Sequence, residues 1–460
     1  MSLSVNNRQL HEEFLASKRR HVLMITNHGI HEWEVVLGLP DTGGQCVYVN
    51  QLTAQLVREG FRVTILNRGG FPHPQTGDLR EGLHYRDASS RILYLEDDVR
   101  EFVRKEDMAS QLPGLAEFYL EQRAQEDVPC DLIISNYWDA AALGVLINKA
   151  LPQSVRHIWI PHSLGTVKKR NMPEKEWPRL RIDERIEAEK EVVAELDGVA
   201  ATSALIRDAL RSDYNCPEPL FLPPGVDVDR FGPREVGPES EIWEFLGRCS
   251  GVAPTEIVGR KIVCEISRTD RTKRKDVLIK AFAGIHKKHP DAFLVVALAE
   301  EQRDIYRELQ ELIDKSGLRG KTAVVGWAGD VLHLLYAVSA VYCTPSVMEG
   351  FGMAAQEAAA TAVPVVASNL VPFVVEYLLG DGEREVTAEV DGRSCRFRLG
   401  AGGIVAPADD VDAFTAALDL LLRDDQQRKA LGDAARKITV PAFTWQRLVR
   451  DFLQAVGEQA

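Results

Sequence analysis

A chain of 460 residues, 45% hydrophobic and 27% charged, has a globular composition and exceeds one ordinary core at about 150 residues per domain. Its net charge of −13 excludes non-specific nucleic-acid binding, which needs cations to neutralise phosphates. No apolar run reaches about 18 residues, and the start, MSLSVNNRQLHEEFLASKRR, has no apolar segment, so neither a membrane span nor secretion is expected. The seven cysteines (Cys46, Cys130, Cys216, Cys249, Cys264, Cys343, Cys395) are scattered and never in C-x-x-C spacing, which reads as reduced core residues of a cytoplasmic protein.

In chain order, the first half offers apolar strands at 21–29, 61–69, 92–96, 131–138, 156–163, 198–203 and 219–225, with amphipathic stretches at 48–59 and 115–125 between them. Continuous apolar strands alternating with helices predict a parallel sheet covered on both faces. The rhythm restarts at KIVCEISR (261–268) and continues through AFLVVALA, TAVVGW, SAVYCTPS, PVVAS and GGIVAP, so the fold class is α/β with two doubly wound, Rossmann-like domains. The boundary is expected near Pro223-Pro224-Gly225, ahead of the polar linker DVDRFGPREVGPES. Between Gly380 and Gly403, EVTAEV and CRFRL flank Asp391-Gly392 and predict a hairpin excursion from the second domain.

In open α/β sheets ligands bind beyond the carboxyl ends of the strands, and the notable residues fall there. Gly43 and Gly44 precede a helix and permit close backbone approach to a diphosphate or sugar, although such a pair also makes an ordinary turn. His162 closes a strand beside Lys168-Lys169-Arg170. Arg268 and Lys273 begin a βα loop and offer two cations to balance leaving-group charge. Glu349 and Glu357 lie eight positions apart around the Gly350-Phe351-Gly352 turn, where a strand, a tight loop and a helix present N–H groups to an anion and carboxylates to hydroxyls. Hydroxyls plus a phosphate describe a nucleotide sugar; two solvated glutamates on a crossover are the alternative. His28, His31, Glu32 and Glu34 have spacing too weak for a metal site, and none is expected.

DTGGQ (41–45), NYWDAA (136–141), PHSLGTVKKR (161–170), PPGVD (223–227), Arg268 with Lys273, EGFGMAAQEA (349–358) and FTW (443–445), in this order and spacing, resemble the retaining glycosyltransferases of the GT-B fold. Within them the resemblance is to the sucrose-phosphate synthase, mannosylfructose-phosphate synthase and sucrose synthase branch, and it covers nearly the whole chain. It implies an N-terminal acceptor domain (1–225), a C-terminal nucleotide-sugar donor domain (226–440), an active site in the cleft between them, and a final helix (441–460) crossing back. It implies catalytic roles for His162, Arg268, Lys273 and Glu349, and donor binding by Gly43, Gly44, Phe351, Gly352, Met353 and Glu357. It implies acceptor binding by Gln45, Arg100, Lys105, Tyr137, Lys169 and Arg185. Ion pairing of Arg100 and Lys105 with neighbouring acids is the alternative, and Asp97-Asp98 stand where the family tends to have a glycine pair.

The expected function is retaining transfer of glucose or mannose from a nucleotide diphosphate, with UDP-glucose favoured as co-substrate, to a small sugar phosphate. The alternatives are transfer to a non-phosphorylated acceptor, of the sucrose-, trehalose- or glucosylglycerate-forming type, and a non-catalytic nucleotide-sugar-binding protein. A dinucleotide-dependent oxidoreductase ranks lower, because no G-x-G-x-x-G follows the first strand. No cofactor is required, with magnesium at most modulatory through the diphosphate. The partner is a small-molecule acceptor, not nucleic acid or membrane, and dephosphorylation of the product, if any, falls to a separate phosphatase.

Overall fold

A computed structural model describes residues 5–36, 39–326 and 328–458. Trp327, read above as the end of a strand, and the first four residues, read above for a leader, lie outside the described residues. The chain divides into two compact units, one of Met1–Gly225 with Trp445–Ala460 and one of Val226–Thr444.

The apolar runs of the first unit form β1 (His21–Ile25), β2 (Arg62–Arg68), β3 (Gly82–Asp87), β4 (Ser90–Leu95), β5 (Leu132–Asn136), β6 (Arg156–Ile160), β7 (Gly198–Ala201) and β8 (Leu220–Phe221). Every residue of β1, β2, β4 and β5 is buried, as strands covered on both faces require. The sheet order is β3-β4-β2-β1-β5-β6-β7-β8, parallel except for β3, which runs antiparallel to β4. β3 is absent from the sequence reading because its half-exposed GLHYRD pattern carries no apolar run. Chain order reverses between β1 and β5, so the crevice of this unit lies beyond Ile25 and Asn136. The helix Trp445–Ala455 packs on the helix Gly44–Arg58 within this unit, where Trp445 Nε1 donates to Gln51 Oε1 at 2.8 Å and Arg450 pairs with Glu59 at 3.0 Å.

The second unit contains β9 (Lys261–Glu265), β10 (Ala292–Ala297), β11 (Thr322–Val325), β12 (Ser339–Thr344), β13 (Val365–Ser368), β14 (Arg384–Val390), β15 (Arg393–Leu399) and β16 (Gly403–Ala406), in the order β11-β10-β9-β12-β13-β16-β15-β14. Its switch point falls between β9 and β12, the strands that precede Arg268 and Glu349. β14 and β15 form the hairpin read from the sequence. Asp391 and Gly392 both have positive φ, 50° and 76°, the geometry of a two-residue primed turn. Cys395, Phe397 and Leu399 on its inner face join the core with Phe414 and Leu418 of the helix Val411–Arg423, so the excursion widens the sheet. Among the described residues no helix is long and apolar enough to cross a membrane.

Candidate active site

In the first unit, three strand ends supply the crevice. After β1, Thr26 Oγ1 accepts from Gln45 Nε2 at 3.1 Å, which draws the helix that opens at Gly44 onto the strand terminus. After β5, Asn136 Oδ1 contacts His162 Nε2 at 2.9 Å, and the His162 ring meets the edge of Tyr48 at 4.8 Å. Burial, with His28 adding, pushes the His162 pKa down to about 3, so the ring is neutral and the Nε2–H tautomer donates to the amide oxygen. His162 and Tyr137 both carry positive φ, 55° and 81°. For side chains of this size such backbone is held only by surroundings that over-determine it. His28 Nδ1 lies 2.9 Å from the buried Asp139 Oδ1, with its ring against Tyr137 at 4.7 Å.

Around Tyr137 the unit gathers cations. Arg185 is buried; its Nη1 donates to Tyr137 Oη at 2.6 Å, its Nη2 to Ser163 O at 2.7 Å, and its Nε to Glu189 Oε1 at 2.7 Å. Glu189 also accepts from Gly165 N at 2.9 Å and from the Tyr214 hydroxyl, so both faces of that carboxylate are used. Lys105 donates to Asp41 and lies 3.7 Å from Glu106. Burial opposes its charge, and Tyr137, Asp41 and Glu106 together raise its pKa. Lys168 differs: its ammonium has no ion-pair or hydrogen-bond partner among the described residues. Burial, followed by Arg185 and Lys105, lowers its pKa against the opposing pull of Tyr137. The phenol of Tyr137 is held below its ordinary value, because Arg185, Lys168 and Lys105 outweigh its burial. A partly covered cation without a partner, next to two others, is an arrangement that an anion completes.

In the second unit, Lys273 Nζ meets Glu349 Oε1 at 2.5 Å, joining the loop after β9 to the loop after β12. Arg268 is exposed and has no side-chain partner among the described residues. Gly352, at φ 113°, caps the helix Met353–Ala360, and a Cβ there would stand 2.8 Å from Val371 Cγ1, so glycine alone fits the turn. Phe351 is buried against Phe373, Tyr377 and Phe443, with ring centroids at 5.4, 6.3 and 5.7 Å. This packing leaves the Phe351-Gly352 backbone to line the loop.

Glu357, four residues into that helix, accepts from Tyr336 Oη at 3.3 Å. Burial pushes its pKa from 4.5 up to about 7, against the pull of Arg230. The raised folded-state value means that stability from this group is complete below about pH 4.5 and is lost as the pH rises through 7, because the folded chain keeps a proton the unfolded chain has released. Glu357→Gln cannot ionise. It is expected to unfold at a higher temperature than the wild type at pH 8, with the gap closing toward pH 5, as read by thermal unfolding across that range.

The structure brings Gln45, Lys105, Tyr137, His162 and Arg185 to the strand ends of the first unit, and Arg268, Lys273, Glu349, Phe351, Gly352, Met353 and Glu357 to those of the second. Two residues taken from the resemblance point elsewhere. Arg100 is 62% exposed in its side chain and pairs with Glu96 at 2.9 Å, while Lys169 pairs with Asp183 at 2.5 Å and covers the Trp177 ring at 4.6 Å. Lys168 takes the inward position instead. Gly165 packs on Ile186 and Glu189 of the helix Ile182–Val193, and Lys168, three residues on, shares that face. The resemblance named Lys169 rather than Lys168, and positions three and four after Gly165 both lie on its face of the helix, so spacing alone does not separate the two. Asp97, in the place of a family glycine, clamps Arg68 through two hydrogen bonds of 2.7 and 2.8 Å.

Comparison with known proteins bears on the family and the fold. The family described as Glycosyltransferase Family 4 matches residues 42–230, and that described as Glycosyl transferases group 1 matches residues 253–438. Mannosylfructose-phosphate synthase of Agrobacterium fabrum is 30% identical over 361 residues, 75% of each chain. Among solved structures, sucrose-phosphate synthase of Thermosynechococcus elongatus superposes with a TM-score of 0.76 at 22% identity, covering 95% of this chain and 98% of that one. HepE of Anabaena, in complex with UDP and glucose, superposes with a TM-score of 0.67 at 15% identity, covering 95% and 100%. Two eight-stranded, mostly parallel sheets, the two family matches and an identity of 30% over three quarters of a relative together establish that this chain belongs to the glycosyltransferases of the GT-B fold.

Proposed function

We propose that this chain is a retaining hexosyltransferase that moves glucose or mannose from a nucleoside diphosphate sugar to a small phosphorylated sugar. The observation that carries the acceptor assignment is Lys168, an unpartnered cation beside Lys105, Arg185 and the Tyr137 phenol in the first unit. In this reading those groups hold the acceptor phosphate. Arg268 and Lys273 hold the donor diphosphate, Glu349 and the Phe351-Gly352 backbone the donor sugar, Glu357 the ribose, and His162 the reactive face of the sugar. The names of the relatives favour a phosphorylated acceptor, and HepE with UDP favours a uridine donor.

The chemistry fits front-side displacement. As the bond from the anomeric carbon to the diphosphate oxygen breaks, an acceptor hydroxyl oxygen bonds to that carbon on the same face, and its proton passes to the departing phosphate oxygen. Arg268 and Lys273 take up the charge that develops on the diphosphate, so the contribution of the protein is mainly electrostatic. Magnesium, if it acts, does so through the diphosphate.

One observation favours an uncharged acceptor instead: Lys105 and Arg185 already have the carboxylates of Asp41 and Glu189. A product assay separates the readings. UDP-, ADP- and GDP-glucose and GDP-mannose are each offered fructose 6-phosphate, fructose, glucose and glycerate. The expected result is nucleotide release with a disaccharide phosphate of unchanged anomeric configuration. Transfer to uncharged acceptors alone removes the phosphate role from Lys168, and no turnover by folded protein favours a binding protein without catalysis.

A further inference from the structure

The second unit contains one further charged pair at its switch point that the reaction described above does not use. Glu265, the last residue of β9, and Lys275, the first residue of the helix Lys275–His286, meet at 2.8 Å with side-chain exposures of 0% and 1%. The ammonium of Lys275 also donates to Ser267 O at 2.9 Å and to Ala297 O at 2.5 Å. Its four-carbon stem thus ties together the ends of β9 and β10 and the start of the loop that carries Arg268. A second tie lies two residues on, where Thr269 Oγ1 accepts from Ala299 N at 2.7 Å. Further along, Asp270 caps Thr272 N at 2.8 Å, and Thr272 O accepts from Val347 N at 2.8 Å, which connects the same loop to the one bearing Glu349. Between the ties at Ser267 and Thr269, Arg268 alone projects outward without a partner.

A buried ion pair is weak as a source of stability, because the cost of removing two charges from water offsets their attraction, and apolar replacements of similar volume are often as stable or more so. What such a pair supplies is one definite arrangement of the groups around it. Here those groups are the carbonyls on either side of the β9 loop. We infer that Lys275, held by Glu265, is a positioning residue that fixes the height and direction of the Arg268 loop for a nucleoside diphosphate. The inference rests on the assignment of that loop to the donor and adds a residue that never touches the ligand.

The test replaces the pair together, Glu265→Leu with Lys275→Met, so that no buried charge is left alone. Nucleotide affinity is measured by titration calorimetry with UDP, ADP and GDP, alongside kcat, donor KM, acceptor KM and the unfolding midpoint. The expected result is an unfolding midpoint at or above that of the wild type, a nucleotide Kd raised about tenfold, and an unchanged acceptor KM. A displacement of ~1 Å at the Arg268 loop is enough to lower kcat by up to ~10²-fold. A folded double variant with wild-type nucleotide affinity and kcat overturns the inference and leaves the functional reading standing. Wild-type protein that binds none of the three nucleotides overturns both. Should the double variant not fold, Thr269→Val decides: it loosens the same loop at its second tie, and a smaller rise in nucleotide Kd is expected, whereas an unchanged Kd overturns the inference.

Discussion

Arg268→Ala is expected to lower kcat about 10²–10³-fold while leaving the unfolding free energy within about 0.5 kcal/mol of the wild type. Both halves of this expectation come from the same observation. The guanidinium is exposed and engages no side chain among the described residues, so its removal strands no buried partner. In the proposed reaction it would hold the donor diphosphate and take up the charge that builds on it as it departs. Because part of that role would fall on developing charge, kcat is expected to drop along with kcat/KM, and saturating donor does not restore the rate. Arg268→Lys is the informative control: it keeps the charge and loses the planar fork, so intermediate activity is expected. Lys273→Ala cannot serve as cleanly, because it releases Glu349 from a contact of 2.5 Å and disturbs the loop after β12 as well. Steady-state kinetics with calorimetric or chemical unfolding of the same samples checks both halves. Full activity of folded Arg268→Ala protein removes that residue from the diphosphate.

The parallel strands were legible because strands buried on both faces carry near-continuous apolar runs, as Val22–Ile25 and Ala292–Ala297 do. The hairpin at 384–399 was legible for a different reason: Asp391-Gly392 demands positive φ at two successive residues, and few sequences tolerate that. β3 was not legible, since an edge strand needs no apolar run. Within the candidate site, Glu349, Arg268 and Lys273 announce themselves by their place after strands. The pairing of His28 with Asp139, 111 positions apart, does not, and neither does that of Glu265 with Lys275, which only the crossover brings together. In the run Lys168-Lys169-Arg170 composition identifies three cations, and only their contacts separate them: Lys169 pairs with Asp183 and Arg170 with Asp213, while the Lys168 ammonium has no such partner among the described residues. Arg100 shows the converse: pairing with a neighbouring acid, the alternative read from the sequence, describes its actual contact with Glu96.

Lys168→Met and Arg185→Ala are expected to differ sharply, although both remove one cation from the neighbourhood of Tyr137. Arg185 is buried and satisfies Glu189, the Tyr137 hydroxyl and Ser163 O, so Arg185→Ala leaves a buried carboxylate without its charge partner. Breaking a buried pair in this way destabilises by about 3–5 kcal/mol, and any activity lost with it reports on folding as much as on binding. Lys168 holds no partner, and its neighbours Arg185 and Lys105 carry the same sign, so Lys168→Met costs no stability. A hydrogen bond to a charged group contributes about 1.5–3 kcal/mol, which converts to a rise in acceptor KM of roughly 10- to 100-fold, with donor KM unchanged. The pH dependence supplies a second signature. Because the folded-state pKa of Lys168 is lowered, chiefly by burial, the folded chain gives up this proton before the unfolded chain does. The charged lysine therefore costs stability below its folded pKa, and that cost is relieved as the pH rises through it toward the ordinary 10.5. Acceptor affinity moves the opposite way, since the neutral amine no longer attracts a phosphate. Wild-type protein should thus gain stability and lose phosphorylated-acceptor affinity over the same alkaline interval, while Lys168→Met shows neither change. Equal acceptor KM values for wild type and Lys168→Met with a sugar phosphate across that interval would assign the acceptor anion to other residues.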